Sequence, residues 1–132
     1  MTEREPDTEH FEQTIGAMPA SVEAMRRHAP TAYAAYLAAR EGIYRDPPAG
    51  HLDRATTELI FIVLDVVAGH EDGAKAHAEA GLKAGLTVAQ ITEALMIAVL
   101  INGHVHWSVT GYKVVEYAAA LASGVGSPAA GK

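Results

Sequence analysis

Two apolar segments, Leu59–Ala68 and Ala94–Ile101, limit what this chain can fold into. Each sits between helix punctuation. Asp53 is a plausible N-cap for the first and Gly69 stops it. Thr87-Val-Ala-Gln90 forms a capping-box pattern ahead of the second, and Asn102-Gly103 ends it. A helix that is apolar on nearly every side must be covered on every side. The amphipathic helices left in 132 residues are few, so subunit contacts are expected and the protein reads as a homo-oligomer. Neither segment reaches the roughly 18 apolar residues of a membrane span, and no membrane association is expected.

The rest of the chain also reads as helical. Residues 10–28 hold two short pieces broken by Gly16 and Pro19. Pro30 opens a better helix, with Tyr33, Tyr36, Leu37, Arg40 and Tyr44 on one face. Arg40 among tyrosines is either a buried anion anchor or a side chain snorkelling at an edge. Asp46 to Gly50 is a loop by composition. Helices follow from Glu71 to Ala84, from Thr87 to Ile101 and from Val105 to Ala122. The one β-branched run, 60–67, is flanked by helix signals. The expectation is an all-α bundle of about six helices: one domain over residues 10–123, with flexible segments at 1–9 and 124–132.

Composition closes several functional classes. The chain has no cysteine, which removes disulfides, thiolate nucleophiles, thiolate metal sites and dithiol redox chemistry. A net charge of −6 with no basic cluster beyond Arg26-Arg27 argues against nucleic acid. The N-terminal MTEREPDTEH lacks the apolar core of a secretory signal, so a cytoplasmic location is expected.

The residues that could carry chemistry gather between 58 and 107. Glu58 and Asp65 lie about two turns apart on nearly one helix face. A carboxylate in such apolar surroundings needs a partner. Arg54 or an imidazole from the next helix could serve Glu58, while Asp65 is read as bonding loop backbone. In the following helix His70, Gly73, Ala74, His77 and Gly81 form a stripe whose small residues admit a close neighbour. His70 and His77 stand about 10 Å apart along the axis, too far to share a metal. His104 and His106 could chelate a divalent metal only from an extended lead-in, because on a helix they diverge by about 200°. No cofactor is otherwise expected. Trp107 reads as a core or interface residue, or as part of a substrate surface.

Taken in order, Leu-Asp-Arg-x-Thr-x-Glu-Leu over 52–59, His77, and Ala-Gly-Leu-Lys-Ala-Gly-Leu-Thr-Val-Ala-Gln-Ile-Thr-Glu-Ala-Leu over 80–95, followed by a glycine break before the last helix, resemble the carboxymuconolactone decarboxylase/AhpD-like family. The resemblance covers Leu52 to about Tyr117. It implies an all-α fold and assembly into trimers or hexamers. The alkylhydroperoxidase branch uses a glutamate, a Cys-x-x-Cys pair and a histidine, and the matching positions here are Glu58, His70, Gly73 and His77. The carboxylate and imidazole match while both sulfurs are missing, so a thiol peroxidase cycle is excluded. The decarboxylase branch also lacks the cysteines and keeps a histidine corresponding to His77. Gly73 and Ala74 replace bulkier residues of that branch, which widens the implied pocket. His70, His104 and His106 have no counterpart carried over.

Three readings result. The first is a lyase or isomerase on a small carboxylated lactone or enol-acid. In it His77 is the general acid–base, Glu58 its orienting carboxylate, and Arg40, His70, His104 and Trp107 bind substrate. The second is a non-catalytic oligomeric small-molecule binding protein. The third is a metal-dependent enzyme drawing zinc, iron or nickel ligands from His70, His77, His104, His106 and Glu58.

Overall fold

The computed structural model describes residues 6–124, with side chains from residue 8 onward. The flexible segments expected at 1–9 and 124–132 fall mostly outside the described residues. Among the described residues there are seven α-helices, one π-helical turn and no strand, so the chain is all-α. The described chain divides between Asp53 and Arg54 into two compact units.

The first unit holds α1 (Pro6–Ile15), α2 (Ala20–His28) and α3 (Pro30–Ile43). Gly16, at φ +90°, and Pro19 separate α1 from α2, the break their chemistry predicts. Pro30 opens α3, where a missing N–H costs nothing. Phe11, Val22 and Tyr33 form the core, with Ile15, Met18, Met25 and Leu37 packed on it. Arg40 is buried within this unit at 7% exposure, so the snorkelling alternative is corrected. Its Nε donates to His10 Nε2 at 3.1 Å and its Nη2 to Thr14 Oγ1 at 3.3 Å. Its guanidinium also lies over the rings of Phe11 (5.1 Å) and Tyr44 (4.9 Å). Cation–π contact and hydrogen bonds together offset the loss of hydration.

The second unit holds α4 (Arg54–Ala68), α5 (Glu71–Lys83), α6 (Val88–Asn102) and α7 (Tyr112–Ala122). Both apolar segments are helical as expected. Gly69 leaves α4 at φ +79° and Gly103 leaves α6 at φ +88°, conformations that favour glycine. The capping box is complete: Gln90 N–H donates to Thr87 Oγ1 and Thr87 N–H to Gln90 Oε1, each at 3.0 Å. Ile62 and Val66 of α4 meet Ala74 and Ala78 of α5, Ile91 and Leu95 of α6, and Val114 and Ala118 of α7.

The final helix departs from expectation. In place of one α-helix over 105–122, Trp107–Gly111 is a π-turn that leads into α7. Gly111 permits it: a Cβ there would lie 2.9 Å from Trp107 Cε3 and 3.4 Å from Val66 Cγ1. Apolar side chains also remain uncovered. Ile97, Leu100 and Ile101 of α6 are exposed, Leu100 and Ile101 at 83% and 82%, as are Leu64, Val105 and Val109.

Candidate active site

The α4–α5 pair carries the site. Glu58, Phe61 and Asp65 fall at i, i+3 and i+7 on α4 and so share a face. Opposite them α5 presents its N-cap His70, then Gly73, His77 and Gly81. The small-residue stripe works as its spacing implies. A Cβ on Gly81 would stand 2.6 Å from Leu86 Cδ1, so the glycine admits the Leu86 side chain, while Glu58 Cβ across on α4 would lie at 3.4 Å, an ordinary contact.

At the centre, His77 Nδ1 lies 2.6 Å from Glu58 Oε1, with both side chains buried. A hydrogen bond this short between an imidazole and a carboxylate is charge-assisted. It fixes the ring so that Nδ1 faces Glu58 and Nε2 faces the other way. Phe61 stacks flat on the imidazole, with centroids 4.3 Å apart and planes 5° from parallel. His77 Nε2 is turned toward Asp65 Oδ2 at 4.0 Å. The other oxygen of Asp65 lies 3.5 Å from Nδ1 of His70, whose side chain is 59% exposed. The order from buried to exposed is therefore Glu58, His77, Asp65, His70. Reading Asp65 as a partner of loop backbone missed its place between two imidazoles. Phe61 was missed as well, although its i+3 spacing from Glu58 was a usable signal.

The remaining candidates make other contacts. Arg40 belongs to the first unit, engaged as described. His104 is exposed, with Nδ1 3.0 Å from Ser108 Oγ. His106 already has helical backbone (φ −66°, ψ −27°), so the extended lead-in required for a 104/106 chelate is not formed. Both of its ring nitrogens are buried without a hydrogen-bond partner among the described residues. It lines an open groove of about 340 Å³ with Val66, Gly69, Asn102, Val105, Val109 and Thr110. Trp107 packs against the core of the second unit. Among the described residues no three His, Asp or Glu side chains converge closely enough to hold a metal ion.

At the entrance to α5, Glu71 is paired with two lysines. Glu71 accepts from Lys75 at 2.8 Å and faces Lys113 at 3.9 Å. The Lys75 hydrogen bond, helped by the positive charges, holds the Glu71 carboxyl below its usual value of 4.5.

Comparison with known proteins adds an independent observation. The model of the carboxymuconolactone decarboxylase family matches residues 30–117, well over half the chain. A crystal structure from Burkholderia xenovorans LB400, of a protein provisionally named a carboxymuconolactone decarboxylase, superposes with a TM-score of 0.85. The two chains are 26% identical, and the match covers 90% of each. No curated protein gave a significant match.

Proposed function

The chain belongs to the carboxymuconolactone decarboxylase family, and on that premise we propose a cytoplasmic, homo-oligomeric lyase or isomerase acting on a small carboxylated lactone or enol-acid. His77 is its general acid–base and Glu58 the carboxylate that orients it. The observation that carries this reading is the buried 2.6 Å contact between them. Glu58 holds Nδ1, leaving Nε2 as the nitrogen that exchanges a proton with substrate. In a decarboxylation the bond to the departing carboxylate breaks as carbon dioxide leaves. Its electron pair moves into the conjugated carbonyl, and protonated Nε2 returns a proton to the product. Because Arg40 is already engaged in the first unit, a cation from a neighbouring subunit is the proposed anchor for the substrate carboxylate. A thiol peroxidase cycle is excluded by the absence of cysteine.

The test is carbon dioxide release or loss of substrate absorbance over a panel of carboxylated lactones and enol-acids. Turnover by the native protein should fall about 10²- to 10⁴-fold in His77→Ala, the range expected for losing a general acid–base. Circular dichroism should show that the variant is still folded. Undiminished turnover in a folded His77→Ala protein would reject the assignment. The groove beside His106 favours a second reading, a non-catalytic small-molecule binding protein. Saturable binding of the same panel without turnover would select it.

A further inference from the structure

We infer that Asp65 and His70 form the solvent-side arm of the His77 site, through which the proton handled by His77 exchanges with water. The inference rests on the acid–base reading above and gives it a route to solvent. Three observations carry it. Asp65 directs one oxygen at each imidazole, Oδ2 to His77 Nε2 at 4.0 Å and Oδ1 to His70 Nδ1 at 3.5 Å. The burial gradient is steep, from the 6% exposed His77 side chain through Asp65 at 22% to His70 at 59%. Gly73 makes the room: a Cβ there would lie 2.5 Å from His70 Nδ1 and 2.8 Å from Asp65 Oδ2. Glycine inside a helix costs about 1 kcal/mol relative to alanine, and here the vacated space is filled by these two side chains.

The transfer balances without a co-reactant. Decarboxylation consumes one proton and leaves His77 neutral, so the relay runs inward. Neutral His70 takes a proton from water at Nε2 and gives its Nδ1 proton to Asp65, which becomes a carboxylic acid. The carboxyl turns about its broad, two-fold χ2 torsion and passes the proton to Nε2 of His77, restoring the imidazolium and the carboxylate. Both separations are slightly longer than a hydrogen bond, so each step needs a small side-chain swing or one bridging water. Glu58 and Asp65 face the histidines from α4, and Glu71, next to His70 in the chain, is paired with Lys75 on α5 and Lys113 on α7.

The deciding measurement uses the full chain labelled with ¹⁵N-histidine and needs no substrate. Imidazole resonances are followed by long-range ¹H–¹⁵N spectra through the His70 titration. The ring nitrogens of His77 should respond as His70 ionises, and the response should vanish in His70→Gln and in Asp65→Asn. Silence of His77 in the native protein, or an unchanged response in Asp65→Asn, would overturn the inference. With an active lactone in hand, His70→Gln should slow turnover severalfold in weak buffer, and added imidazole should restore it. Slowing that imidazole does not restore would leave His70 a structural residue. If the native protein turns over no lactone, the proposed reaction fails while the resonance experiment still decides the relay.

Discussion

Glu58→Ala removes a carboxylate that sits 2.6 Å from His77 Nδ1 inside the second unit. Losing one partner of a buried hydrogen bond costs about 1–3 kcal/mol, to be read as a lower denaturant midpoint. Gly73→Ala should behave in the opposite way. The alanine gains up to about 1 kcal/mol of helix propensity, and the atoms it meets end the side chains of His70 and Asp65, which can move. Stability should hold or rise while the His70 and His77 resonances shift. At this scale the sequence exposed Glu58 and His77, because helix spacing and family pattern converged on them. Asp65 was legible on the Glu58 face, but its place between two imidazoles depends on which helix packs opposite, and that is a tertiary fact. Arg40 was legible as an unusual cation among tyrosines, but its cage draws on His10, Phe11 and Thr14 from a different helix.

Element boundaries were more legible, because glycine, proline and threonine act locally. The Thr87–Gln90 box was readable in the sequence and both of its bonds are formed. Thr87→Ala should cost about 1 kcal/mol, within the usual range for a lost N-cap, measurable by thermal or denaturant unfolding. The π-turn at 107–111 left no such mark, since it depends on how Trp107 and Gly111 lie against Val66. At the entrance to α5, hydrogen bonding to Lys75 depresses the Glu71 carboxyl, and Arg26 does the same for Glu23 on α2. A depressed carboxyl stabilises above its unfolded value and loses that contribution as pH falls. Thermal midpoints should therefore decline below about pH 4.5, and Glu71→Gln should flatten part of that slope. Both carboxylates lie at the surface in contact with water, each side chain about a third exposed at 33%, so the effect is small.

For the molecule as a whole, the sequence conveyed that its apolar helices exceed what one chain covers. Leu100 and Ile101 stand open to solvent on α6, and a second copy is the occupant proposed for that face. A Leu100→Glu/Ile101→Glu variant should keep its helical circular dichroism while its mass by light scattering falls toward 13.9 kDa. A native protein already at that mass would remove the oligomer from the proposal. The division at Asp53–Arg54 was not legible, because the loop around Pro47 and Pro48 reads equally well as a connection inside one domain.

The flat stack of Phe61 on His77 bears on stereochemistry. Glu58 fixes the imidazole at one edge and Phe61 closes one of its faces, so the ring has little freedom to tilt. A proton moving to or from Nε2 then travels along a single line in the plane of the ring. A planar enol or unsaturated lactone meeting that line would be protonated on one face only. Its product, formed in heavy water, would carry deuterium in a single configuration.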